Sequence, residues 1–128
     1  MYAVKEFDHY LTVEFDSHPS LMELETAIAE EFNHSRYAGM NDIWIFNENL
    51  PQIDLDQFPE MESLILMLFP QKATHSKTAL VVSSGLGRAF AELWKNSTTL
   101  PYQIEVFTSL RKAEAWVVPK VCASKMAG

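Results

Sequence analysis

The sequence predicts an α/β fold, a mixed sheet of about five strands with four helices in the order β-β-α-β-α-β-α-β-α. Two observations carry this. Short runs with strand-type alternation take turns along the chain with longer runs of helical period, which is the pattern of layered α/β architecture. The 128 residues are 48% apolar and 12% aromatic, enough for a real core, and show no internal repeat, low-complexity block or linker before the tail. One domain over residues 1–117 and a loose tail over 118–128 are therefore expected.

The elements follow in order. Residues 2–7 and 10–15 alternate apolar and polar around "DH", Asp8-His9, and read as an opening hairpin. Leu21, Leu24, Ile28 and Phe32 recur at helical spacing behind Ser20, and Glu23 three residues after that serine completes a capping box, so a helix spans about 20–33. "NDIWIFN" is a buried strand and "ENLPQIDLD" a loop. Asp56 is the expected cap of a second helix carrying Phe58, Met61, Leu64, Ile65 and Leu68, which Pro70 ends. Residues 77–82 form a strand. Leu86, Ala89, Phe90, Leu93 and Trp94 mark the third helix, "YQIEVF" the last strand, and Leu110, Ala113 and Val117 a short fourth helix starting near Thr108 or Ser109.

Charge and composition exclude several function classes. The net charge of −7 divides unevenly, with two basic and fourteen acidic residues in 1–70 against eight basic and three acidic in 71–128. An acidic chain lacks the phosphate-neutralising surface of a nonspecific nucleic-acid binder, so no nucleic acid is expected as partner. The apolar run 64–69 is too short to span a bilayer and the first residues lack a signal peptide's order, so a cytoplasmic protein without a transmembrane segment is expected. The single Cys122 has no partner for a disulfide. His9, His18, His34 and His75 show no zinc-site spacing and read as solvent-facing loop residues. Asp54 and Asp56 are explained by helix capping better than by a cation. No metal and no cofactor is expected.

Two features stand out. In "VVSSGLGRAF", Ser83, Ser84, Gly85, Gly87 and Arg88 sit where a strand feeds a helix, so free N–H groups, two hydroxyls and a guanidinium form a candidate anion or ligand site. The alternative is a turn in which Ser84 caps the helix while the glycines permit the sharp bend. Neither a phosphate-binding lysine motif nor a dinucleotide glycine pattern is present, and the nucleophile elbow that exposes a catalytic serine is missing. The second feature is the second helix, apolar all the way round from Leu64 to Phe69, whereas a helix on a sheet needs only a stripe. Either the third helix hides the excess, or Ile65, Leu66, Met67 and Phe69 form an apolar contact surface oriented by Arg88 and Lys95.

The element order, together with "KTALVVSSGLGRAFAELWK" and the ending "YQIEVFTSLRKAEAWV", resembles a STAS domain of the SpoIIAA-like group over about residues 2–117. The ending, with Val106, Phe107, Ala113 and Trp116, is the more specific part. The resemblance implies no known catalysis, and roles in regulatory protein binding or, for some members, membrane or apolar-ligand association. In the anti-sigma-factor antagonists of the superfamily that the chain resembles, a phosphorylatable serine lies in an Asp-Ser-Ser-Gly-Leu-Gly stretch after the third strand. The Ser83-Ser84-Gly85-Leu86-Gly87 stretch matches that motif in letters but follows the fourth strand, behind Val82 instead of an aspartate, and residues 47–60 contain no serine or threonine. The expected function is a noncatalytic, nonenzymatic binding or regulatory module acting through protein-protein interaction without that serine switch. The alternative is a carrier or membrane-peripheral protein for an apolar or lipid-like ligand at the side of the second and third helices. Its admitted partners are a protein, a second copy of the chain, or an apolar or lipid-like small molecule.

Overall fold

The computed structural model describes residues 1–70 and 75–118. Five strands, β1 (Tyr2–Glu6), β2 (Tyr10–Phe15), β3 (Asn41–Asn47), β4 (Lys77–Val82) and β5 (Gln103–Phe107), lie side by side in chain order. β1 is antiparallel to β2, and every later pair is parallel. The crossovers carry α1 (Leu21–Phe32), α2 (Phe58–Leu68) and α3 (Gly85–Ser97), and α4 (Leu110–Val117) follows the last strand. This is the predicted order, and the four helices and mixed five-stranded sheet are as expected.

Strand alternation sends successive side chains to opposite faces, and the two faces have different covers. Val13, Phe15, Trp44, Phe46, Leu80 and Val82 meet Leu24, Ala27 and Ile28 of α1, Met61 and Ile65 of α2 and Ala91 of α3 in the main core. Ile43, Ile45, Ala79 and Val81 point the other way onto Ala113 and Val117 of α4. The expected tail lies outside the described residues beyond Val118, which itself packs on the α4 core.

Helix starts differ in detail from their expectation. The Ser20 hydroxyl accepts the Glu23 N–H at 3.2 Å, but the Glu23 carboxylate lies 2.6 Å from the Met1 ammonium, so the chain terminus holds the side chain expected to close the capping box. Asp56 does not cap α2. Asp54 instead closes a capping box with Gln57 around a short 3-10 turn, Leu55–Gln57, from which α2 continues. Ser84 and Ser109 cap α3 and α4 by accepting the N–H groups of Gly87 and Lys112. α1 packs alongside α2, and the Phe58 ring stands edge-on to Phe90 and Trp94 of α3.

Candidate functional site

The sheet face under α1, α2 and α3 changes character along its strands. On β3 the inward positions are Asp42, Trp44 and Phe46; on β4 they are Thr78, Leu80 and Val82; and the parallel register sets Asp42 beside Thr78. The amino ends of both strands are therefore polar and their carboxyl ends apolar on this one face. α1 adds a carboxyl group, because Leu24, Ile28 and Glu31 share its buried stripe. Between sheet and helices lies a cavity of about 80 Å³, and apolar atoms form most of its wall. Phe58 and Met61 of α2 and Phe90, Ala91 and Trp94 of α3 close its sides.

The deep end holds a buried polar network. Glu31 is 0% and Asp42 1% exposed. The Trp44 indole N–H reaches both, 3.1 Å from Asp42 Oδ2 and 3.3 Å from Glu31 Oε1. The Thr78 hydroxyl donates to Asp42 Oδ1 at 2.5 Å, and His75 Nε2 stands 2.9 Å from Thr78 Oγ1 and 3.5 Å from Asp42 Oδ1. His75 Nδ1 lies 2.6 Å from the Met40 carbonyl, which only accepts, so this nitrogen carries a proton. Glu31 Oε2 has no hydrogen-bond partner. Burial first, and the neighbouring Asp42 carboxylate second, push the Glu31 carboxyl well above its ordinary range, against the smaller opposing pull of the Trp44 N–H. Burial likewise raises the Tyr102 phenol, which lines the cavity beside the network.

Aromatic rings enclose this end. His75 stacks on Tyr37 with ring centroids 4.8 Å apart, meets Tyr102 edge-on at 4.9 Å, and Phe69 stands edge-on to His75 and against Phe32 and Tyr102. The opposite end is more open, rimmed by the half-buried Pro51, Ile53, Phe90 and Trp94. The loop that brings Pro51 and Ile53 there leaves β3 through Asn47, whose φ of 52° is the left-handed conformation that asparagine tolerates better than most residues. It is fastened at Gln52, whose N–H donates to the Pro19 carbonyl at 2.8 Å.

The residues singled out in the sequence fall elsewhere or play other parts. Ser83, Ser84, Gly85 and Arg88 are exposed at the start of α3, after β4 as the element order required. Ser84 Oγ is engaged by the Gly87 N–H at 2.9 Å. Neither glycine of this turn has a positive φ, so the bend does not depend on glycine in the way expected. Gly87 is small for another reason: a Cβ there would lie 2.9 Å from Ser84 Oγ and 3.5 Å from Val82 Cβ. On α2, Ile65 is 6% exposed and belongs to the core, which corrects its assignment to a contact surface. Phe69 is half-buried in the aromatic collar. Leu66 and Met67 are exposed, at 49% and 74%. Lys95 is paired with Glu105 at 2.5 Å. His75, expected to face solvent, is 3% exposed, because its ring stacks on Tyr37 and meets Tyr102 edge-on just ahead of β4.

Glu31, Asp42, His75 and Thr78 were not among the expected site residues. The signal for Glu31 was its spacing, seven residues after Leu24 and three after Ile28, which places an acid on an apolar stripe. Among the described residues no group of three or more His, Cys, Asp and Glu side chains is placed to hold a metal ion, and no helix is long and apolar enough to cross a membrane.

No family model matches this chain, and no curated protein matches it. Among solved structures it is similar to an uncharacterised protein of the DUF3478 family from Shewanella loihica PV-4, described as having a SpoIIAA-like fold. The two share 13% sequence identity over 91% of this chain and 92% of that one, with a TM-score of 0.59. Likeness at that identity bears on architecture alone: the chain has the STAS/SpoIIAA-like fold.

Proposed function

We propose that this chain is a noncatalytic binding module that holds an apolar small molecule between its sheet and its first three helices. The observation that carries the reading is an apolar cavity whose deep end is a fully buried carboxyl group with one unpartnered oxygen, Glu31 Oε2. When ionised, the group has no donor for that oxygen, which costs about 1–3 kcal/mol, and a donor on a ligand can relieve that cost. At about 80 Å³ the cavity has roughly half the volume of an engineered apolar site that holds benzene, ~150 Å³. A short alkyl group fills it, and anything longer extends past Pro51 and Trp94. A lipid-sized molecule would not be enclosed.

The network argues against catalysis at this site. Thr78, His75 and Asp42 contain the side-chain types of a nucleophile, base and orienting acid, but in the wrong arrangement. The orienting acid of such a triad holds the far nitrogen of the imidazole. Here that nitrogen faces the Met40 carbonyl, while Asp42 takes the threonine proton itself. The hydroxyl is thus tied to an acceptor instead of being activated.

The test is a thermal-shift titration with 3-methylbutan-1-ol on the full chain and on the Ala91→Leu variant, whose added side chain occupies the cavity. The native chain should gain stability with ligand concentration while the variant should not. Equal responses, or none in either protein, would remove the reading. Native mass spectrometry of protein purified without delipidation reports any retained molecule and the subunit number.

A second reading, regulation through a protein partner or a second copy, is favoured by the neighbouring exposed Leu66, Met67 and Leu68 on α2.

A further inference from the structure

We propose that the molecule this cavity takes is a small alkyl ammonium ion, its nitrogen seated against Glu31 and Asp42 and its hydrocarbon along Leu80, Phe46 and Val82. The proposal rests on the cavity reading above and adds the chemistry of the head group.

The argument begins with donors and acceptors. Two carboxyl groups meet at the deep end, and the described donors that reach them are few. Asp42 has the Thr78 hydroxyl on one oxygen and the Trp44 N–H on the other, with His75 Nε2 at 3.5 Å. Glu31 has only its share of the same indole N–H, at 3.3 Å, and Oε2 has nothing. The charged side chains that line the cavity are these two acids, and no lysine or arginine lines it among the described residues. The titratable groups that face the pair are Tyr37, in the connection between α1 and β3, His75, ahead of β4, and Tyr102, ahead of β5; none of them hydrogen-bonds Oε2, and the Tyr37 hydroxyl is itself buried without a partner.

A buried carboxyl pair of this kind has two stable conditions. Either it keeps a proton between its members, which burial and the Asp42 charge favour at Glu31, or a cation takes that proton's place. An ammonium group suits the second condition, since it brings three donors and no acceptor, whereas an alcohol brings one donor together with lone pairs that face carboxylate oxygen. A metal ion is a poorer match, because calcium needs six to eight oxygen ligands and the remaining walls are hydrocarbon. Proton balance follows directly. The ammonium enters charged, Glu31 gives up its proton to solvent, and the filled site carries an ammonium against two carboxylates. No covalent bond forms or breaks.

The experiment is isothermal titration calorimetry at about pH 6, comparing 3-methylbutylamine with 3-methylbutan-1-ol, each in two buffers of different ionisation enthalpy. The amine should bind at least about tenfold more tightly than the alcohol, in keeping with a charge-assisted hydrogen bond in a dry site. Its binding should release a proton, seen as a buffer-dependent heat, and the alcohol's should not. Glu31→Gln should still bind the alcohol while losing both the amine preference and the proton release. Equal affinity of the native chain for both molecules, amine binding without proton release, or an undiminished preference in Glu31→Gln would each overturn the ammonium assignment while leaving the cavity reading intact. If neither molecule binds, the cavity reading falls and the assignment with it. The proton count is read on the native chain, so a variant that failed to fold would not shelter the proposal.

Discussion

Replacing Glu31 by glutamine should make the protein more stable at neutral pH and flatten its pH dependence. Glu31 is 0% exposed, and its carboxyl is raised well above the ordinary value of 4.5 by burial and by Asp42. For a carboxyl raised on folding, the native state holds its proton more tightly than the unfolded chain does. The stability this group contributes is therefore fully present below about pH 4.5 and is lost as the pH rises towards the folded-state value, above which the loss is complete. Within that window one proton is at stake, and one proton corresponds to a slope of about 1.4 kcal/mol per pH unit. Glutamine keeps the shape, cannot ionise, and offers Asp42 an N–H donor. Urea unfolding followed by far-UV circular dichroism at pH 5, 6 and 7 measures the difference directly. The gap between variant and native chain should widen with each step, by up to about 1.4 kcal/mol per unit. Parallel stability curves would refute the reasoning, since they would mean that Glu31 ionises in the folded state as easily as in the unfolded one.

Other substitutions test neighbouring parts of the structure. Thr78→Val removes the hydroxyl on Asp42 Oδ1 and should cost about 1–3 kcal/mol in chemical denaturation, the penalty for stranding a buried acceptor. Ile65→Ala should cost about 2–5 kcal/mol as a core truncation, whereas Leu66→Glu and Met67→Glu should each change stability by less than about 0.5 kcal/mol. If either glutamate variant alters sedimentation of the native chain, the α2 ridge is an interface between copies. Ser84→Ala should cost about 1 kcal/mol by thermal melting, because the Gly87 N–H loses its acceptor at the start of α3. Phosphopeptide mapping from native cells should find neither Ser83 nor Ser84 occupied in step with partner binding.

The architecture was legible because it rests on periodicity, which each segment displays by itself. The strand at 41–47, the rhythm of Leu86 to Trp94 and the serine caps needed no knowledge of distant neighbours. The polar end of the cavity did need it. Asp42 lies two residues before Trp44 and Thr78 two before Leu80, so alternation alone puts each on the inward face. Only the parallel pairing of β3 with β4 makes them adjacent, and only the docking of α1 adds Glu31. Sequence reasoning also looked to the carboxyl ends of the strands, the usual place for ligands in open α/β sheets, and so weighted the Ser83 to Arg88 turn. The buried network lies at their amino ends. His75 was misread for a similar reason: its burial depends on Tyr37, Phe69 and Tyr102, which are contributed by three separate connections. On α2, composition showed that apolar residues were in excess, but not which of them turn outward.

The strand order of the sheet also bears on how the chain assembles. Because spatial order equals chain order, every new strand pairs with the one made just before it, and no gap must be kept open for a later insertion. The sheet can lengthen by one strand at a time during synthesis, each crossover helix settling on the same side as it emerges. The other side has a different history. Ile43, Ile45, Ala79 and Val81 wait for α4, the last described element to be made, and until it docks they form a bare adhesive surface on a nearly finished sheet. A chain truncated between β5 and α4 would thus present that surface with all five strands of the sheet already made, and the eight residues of α4 end the exposure.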